Sequence, residues 1–189
     1  MATATVPITA MATATGRRRS SVTDLHWYVA YVKSCQERKV AEALGNMGVG
    51  YYLPVQREVH QWSDRKKIVA RLVLPRMIFI RTTEAGRLGP MRVIPGLLRY
   101  MSNKGPYNPV IIRDAEMESF RAMVEHSGRN VSMNGEALVP GDRVRIVHGP
   151  LTGYEFELVS IGDARCLGVR LGSLGYATMD LSADALEKI

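Results

Sequence analysis

Trp62 is followed by Arg65, Lys66 and Lys67, which puts an indole beside three cations. An aromatic face can stack on a nucleobase, and lysine or arginine can meet phosphate, so the chemistry on offer is the holding of a nucleic-acid strand. The same residues suit a solvated loop equally well. A second constellation lies towards the C-terminus, where Arg143-Val144-Arg145-Ile146-Val147 runs into His148-Gly149-Pro150-Leu151. There a strand would end in a tight turn that glycine permits, with the next φ set by proline. Nothing points to bond-making chemistry. The two cysteines, Cys35 and Cys166, make no CxxC pair, and His26, His60, His126 and His148 lack metal-ligand spacing. Phosphate-loop, HExxH and GxSxG motifs are absent. The expectation is a protein with no cofactor, no metal and no catalytic residue, suited to a reducing cytoplasm.

Charge divides the chain. Residues 25–128 carry 16 Lys/Arg against 9 Asp/Glu, whereas residues 138–189 carry 5 against 7. The positive field belongs to the first part, the usual footprint of a polyanion neighbour. No run approaches the ~20 apolar residues of a membrane helix, so no membrane partner is expected. MATAT recurs at positions 1 and 11, and residues 1–24 read as a disordered tail ending near Arg17-Arg18-Arg19, without the charged start of a secretory signal.

The elements that must position these residues follow from spacing. His26 to Val32 is aromatic and β-branched on both faces, which predicts a central strand. Ser34 with Glu37 suggests a capping box, opening a helix whose stripe is Val40, Ala43, Leu44 and Met47, stopped by Gly45 and Gly48. Tyr51 to Val55 starts a second strand, Arg57 to Arg71 looks like a hairpin around Ser63-Asp64, and Val73 to Ile80 reads as a buried strand. A turn at Pro95-Gly96 leads to a strand at 97–101. Asp114 is the expected N-cap of a helix carrying Met117, Phe120, Met123 and Val124 on one face. Small polar residues at 128–137 read as a linker. From 138 onward short strands recur at 143–147, 155–161, 165–171, 174–180 and 185–188, with glycines at the turns, a pattern that closes as a small barrel. The fold class is therefore α+β: a small antiparallel sheet flanked by helices over 25–127, then an all-β unit over 138–189.

These residues resemble a known family. Gly141 to Leu151 is similar to the KOW motif that opens an SH3-like barrel in NusG transcription factors. WYVAYVKSCQERKVAEAL, with Trp27-Tyr28-Val29 and Glu37-Arg38-Lys39-Val40, resembles that family's first strand and helix, and IPGLLRYMSNKGPYNPV its late glycine-and-proline segment. The resemblance covers about residues 25–189. Two departures mark a specialised paralogue: Leu74-Pro75-Arg76-Met77-Ile78-Phe79 stands where general factors have an FPGYV-like segment, and Phe156 replaces a glycine usual after the KOW loop. LPRMIFI and REVHQW resemble the NusG-like antiterminators encoded beside surface (capsular) polysaccharide operons in Bacteroidetes, and RfaH is a specialist of the same family.

The resemblance implies a transcription elongation or antitermination factor, cytoplasmic and monomeric, whose N-terminal (NGN) domain binds the clamp helices of RNA polymerase through an apolar hollow. Carried over by motif, Leu74, Pro75, Met77 and Phe79 would belong to or border that hollow, with Trp27 and Tyr28 nearby, although alternate residues of such a strand must face the domain's own core. Segment 83–92 would meet the opposite pincer. Trp62, Arg65, Lys66 and Lys67 would face non-template DNA or nascent RNA. The KOW domain would be an adaptor for Rho or a ribosomal protein, with Gly149 and Pro150 forming its turn and Leu151, Tyr154 and Phe156 its patch, Phe156 being equally suited to the barrel core. A competing reading is a free RNA-binding KOW-type module that acts without polymerase.

Overall fold

The protein is described from a computed structural model, over residues 24–61, 66–103, 105, 108–128, 130–134, 139–161, 164–180 and 186–189. The N-terminal tail with its arginine triplet lies outside them.

β1 (His26–Val32) is the centre of an antiparallel sheet of order β2-β5-β1-β6, formed with β2 (Gly50–Tyr52), β5 (Met77–Thr82) and β6 (Leu97–Tyr100); β7 (Ile111–Ile112) also pairs with β1. The register sets Tyr28 against Ile80, Val29 against Phe79 and Ala30 against Ile78. Alternation then gives the sheet two apolar faces. Tyr28, Ala30, Val32, Ile78 and Ile80 form one core with Val40, Ala41 and Leu44 of α1 (Glu37–Asn46). Trp27, Val29, Tyr52 and Phe79 meet Met117, Phe120, Met123 and Val124 of α3 (Asp114–His126). A strand apolar on both faces is what a sheet covered by helices on both sides demands.

Several boundaries differ from expectation. The α1 N-cap is Gln36, not Ser34, and Glu37 does not reach back to cap; its buried carboxylate accepts the Arg76 N–H at 2.9 Å instead. Met47 follows the helix and is exposed rather than part of the stripe. The run from Val73 to Ile80 is not one strand, because Pro75 and the left-handed Arg76 (φ 62°) turn the chain before β5 begins. α3 starts one residue after its cap Arg113, whose N–H donates to Glu116 at 3.1 Å. A short helix, α2 (Leu88–Val93), lies within the segment expected to meet the second pincer, with Leu88 and Val93 exposed.

β3 (Val55–Gln61) and β4 (Lys66–Leu72) form the expected hairpin as a two-stranded sheet of its own. The C-terminal part is a six-stranded antiparallel sheet of order β13-β9-β10-β11-β12-β8, built from β8 (Val131–Asn134), β9 (Val139–Ile146), β10 (Glu155–Ile161), β11 (Ala164–Arg170), β12 (Tyr176–Asp180) and β13 (Leu186–Lys188). β8 arises from the stretch that composition marks as linker. The sheet curls around Val144, Ile146, Leu151, Phe156, Leu167, Val169 and Leu171, and these side chains continue into the core beneath α3. The turn after β11 comes so close to β7 that a Cβ on Gly172 would lie 3.2 Å from Ile112 Cδ1. α3 is thus packed on both sides, against the first sheet and against the second.

Candidate functional site

The six polymerase-facing candidates do not share one surface. Trp27, Leu74 and Phe79 are buried in the α3-side core, and the Arg81 guanidinium lies 5.8 Å from the Trp27 ring centre. Tyr28 points to the opposite face, as its pairing with Ile80 requires. Its hydroxyl donates to Glu84 Oε2 at 3.1 Å, Glu84 accepts from Arg87 Nε at 2.8 Å, and Arg87 lies 5.8 Å from the Tyr100 ring centre. That cluster ties the turn before α2 to the sheet. Pro75 is exposed and Met77 half-buried, so these two are the accessible members.

Beside them lies a surface that motif matching misses. Tyr31 pairs with Met77 on β5 and with Arg99 on β6, which places the three in one row across three strands. Arg99 covers the Tyr31 ring at 4.8 Å. Met77 and Met101 pack against the rim of the core. The row is apolar and polarizable, bordered by a cation, a chemistry that accepts a helix end without demanding one fixed fit. Alternation from Trp27 through Val29 to Tyr31 was the signal in the sequence. Arg76 flanks the row with its φ of 62°, strained for a non-glycine residue and held there by Val32 N–H to its carbonyl at 2.8 Å and by Glu37 on its own N–H.

Tyrosine burial has a consequence for pH. Burial pushes the Tyr28 hydroxyl up to about 12, and the Glu84 carboxylate that accepts its proton adds to the shift. Burial also raises Tyr52 and Tyr100. A free tyrosine ionises near pH 10, so above that pH the unfolded chain sheds protons that the fold retains. The stabilisation is whole below about pH 10 and is lost as pH rises towards 12. Urea midpoints should hold to about pH 9 and fall beyond pH 10; a flat profile would mean that these hydroxyls ionise freely in the fold.

Of the nucleic-acid candidates, Trp62 and Arg65 lie outside the described residues. Lys66 and Lys67 begin β4, opposite Gln61 and His60. The described part of the hairpin is open to solvent along β4, with Ile68, Val69 and Ala70 exposed. Its base is pinned: Arg71 pairs with Glu58, and buried Gln56 accepts the Val131 N–H at 2.9 Å.

In the KOW-like turn Gly149 takes φ 99°, open to glycine but strained for other residues, and its carbonyl accepts from Thr152 Oγ1 at 2.6 Å. Gly149 and Pro150 are exposed. Leu151 and Phe156 are buried in the core that runs under α3, and Tyr154 lies half-buried beside Glu118, Arg121 and Glu125 of α3. In this arrangement the adaptor-patch candidates face the rest of the protein. A cleft of about 140 Å³ opens where α3 meets β10 and β11, between Arg113, Glu116, Arg143, Glu155, Glu157 and Arg170. Five of these six charges are already engaged: Arg113 with Glu116, Arg143 with Glu155, and Glu157 with the Tyr176 hydroxyl. Among the described residues no group of three or more His, Cys, Asp or Glu could hold a metal, and no helix is long and apolar enough to cross a membrane.

A sheet sandwiched by helices and followed by an all-β sheet defines a protein of α+β class. Residues 25–121, just over half of the chain, match the family described as transcription termination factor nusG, and the chain belongs to the NusG family of transcription factors. Among solved structures, that of NusG from Thermotoga maritima, described as "Domain interaction in Thermotoga maritima NusG", is 20% identical, with a TM-score of 0.46 over 88% of this chain and 98% of that one. No curated protein matches the chain.

Proposed function

We propose that this chain is a specialised NusG paralogue, an antitermination factor that binds RNA polymerase through a domain spanning residues 25–127 and serves a restricted set of operons, such as those for surface polysaccharides. The observation that carries the reading is the row of Met77, Tyr31 and Arg99, an accessible apolar and cationic strip on the sheet of a NusG-family domain. A coiled-coil tip of the polymerase clamp would lie along it, with Pro75 and Arg76 at its edge. The basic hairpin of Lys66 and Lys67 would meet non-template DNA or nascent RNA, phosphate contacts giving affinity and any base contact giving choice of site. The unit at 138–189, joined through 128–137, would act as the adaptor towards Rho or a ribosomal protein, and the protein would work as a cytoplasmic monomer. Tyr154 lies half-buried beside Glu118, Arg121 and Glu125 of α3, so an adaptor surface that includes it would be freed when the two sheets part.

The experiment is in vitro transcription with the cognate polymerase across a template holding a defined pause and a Rho-dependent terminator. Shorter pauses and more read-through on addition of the protein are the expected result. Unchanged pausing together with salt-sensitive RNA binding would replace this reading with the free RNA-binding module, which the +7 balance of residues 25–128 also suits.

A further inference from the structure

β3 and β4 form a sheet of two strands, and no other strand among the described residues joins the outer edge of β4. The two larger sheets end in short strands, β2 and β13 of three residues, β6 and β8 of four. Short edges give a foreign chain little to pair with, a common protection against edge-to-edge association. β4 lacks that protection. It runs for seven residues, without proline, in a ladder with β3 whose register does not shift. Alternate peptide groups along it point away from β3, so the edge presents a row of N–H donors and C=O acceptors. Ile68 is 66% exposed, more than any other large apolar residue among those described, and Val69 on the opposite face of the ladder is exposed as well. Both faces of the strand therefore offer apolar surface beside the open edge.

Charge selects what can pair there. β4 carries Lys66, Lys67 and Arg71 and no acid. Two copies of the strand, paired antiparallel about Val69, would set Lys67 of each opposite Arg71 of the other, and like charges across a ladder repel. A nucleic-acid backbone supplies acceptors for cations, but its phosphates offer no donor to the outward carbonyls and no apolar cover for Ile68 and Val69. A polypeptide supplies both. We propose that the outer edge of β4 takes up an extended acidic segment of a partner protein as a third strand of this sheet. Acids of that segment lie opposite Lys67 and Arg71, and β-branched residues lie opposite Ile68, Val69 and Ala70. Main-chain bonds then give affinity and the side chains give choice of partner. Arg71 pairs with Glu58 while 40% of its side chain stays open, so the base of the edge is ordered before a partner arrives. This surface needs neither polymerase nor nucleic acid.

The test uses the full chain and a blocked nonapeptide with the core Glu-Ile-Val-Val-Glu, with binding read by fluorescence anisotropy and amide hydrogen exchange read residue by residue. With the peptide bound, alternate amides of β4 should exchange at least about tenfold more slowly, while β1 and β5 keep their rates. A peptide with lysine in place of both glutamates, and one with proline in place of the central valine, should each bind at least about tenfold more weakly, the first through charge and the second through the lost main-chain donor. Ile68→Ser, at an exposed position, should keep the urea midpoint of the wild type and weaken the glutamate peptide roughly fivefold. No binding of the glutamate peptide, binding without slower exchange in β4, or equal binding of the proline peptide or by the Ile68→Ser chain would overturn the proposal. An oligothymidylate of about 12 nucleotides is the remaining arm. If it slows the same alternate amides and the peptide does not, the edge is a nucleic-acid surface and the acidic strand is excluded.

Discussion

If the Met77 row is the polymerase contact proposed above, Met77→Asp should weaken binding of the full chain to its core RNA polymerase at least ~100-fold, on the order expected when a charge is buried in the centre of an apolar contact. Met77 is half-buried at the rim of the core, next to Tyr31 and partly open to solvent, so the substituted carboxylate can stay hydrated in the free protein. The fold therefore survives, with a urea midpoint near that of the wild type and an unchanged circular dichroism spectrum. The cost falls on the complex, where the carboxylate would have to shed water against a clamp helix. Titration of labelled polymerase with wild-type and substituted chains reads the difference. Equal affinities would place the contact elsewhere and leave exposed Leu88 and Val93 on α2 as the next surface to test.

Phe120→Ala should be the most destabilising of the single changes considered, by about 4 kcal/mol, the range for truncating a fully buried aromatic ring. Phe120 is inaccessible to solvent and lies 5.6 Å from the Phe79 ring and 6.1 Å from the Tyr52 ring, edge-on to the latter. It comes from α3, which lies between the two sheets, so little around it is free to collapse into the hole. A domain of this size has on the order of 5–15 kcal/mol to lose, so the variant approaches the limit of folding at 37 °C. Equilibrium urea unfolding at 25 °C gives the number; a loss below about 1.5 kcal/mol would mean that the site closes up after truncation.

Much of this architecture is legible in the residues. Central placement of β1 follows from its being apolar on both faces, the hairpin from polar residues between two strand-like runs, and the α3 face from the spacing of Met117, Phe120, Met123 and Val124. These are periodicities of 2 and 3.6, properties of neighbouring residues. Where local pattern misleads, the deciding partner is distant. Glu37 has the spacing of a capping-box residue because it follows Ser34 by three, yet its carboxylate serves Arg76, 39 residues away. Residues 131–134 have the composition of a linker because they are small and polar, yet β12 offers them an edge to pair with.

The candidate site divides in the same way. Sequence alone determined the family through its first strand and helix and the Gly149-Pro150 turn, along with the basic balance of residues 25–128. Met77 and Pro75 came as candidates from the resemblance to that family, since matching a motif needs no knowledge of how the rest of the chain packs. Only the tertiary structure decided that Tyr28 and Phe79 look to opposite faces, that Tyr31 and Arg99 join Met77 in one row, and that Leu151 and Phe156 are buried in a core continuous with that of α3. Register and packing between remote segments settle such questions. A shift of one residue in β1 against β5 would exchange every side chain between the faces.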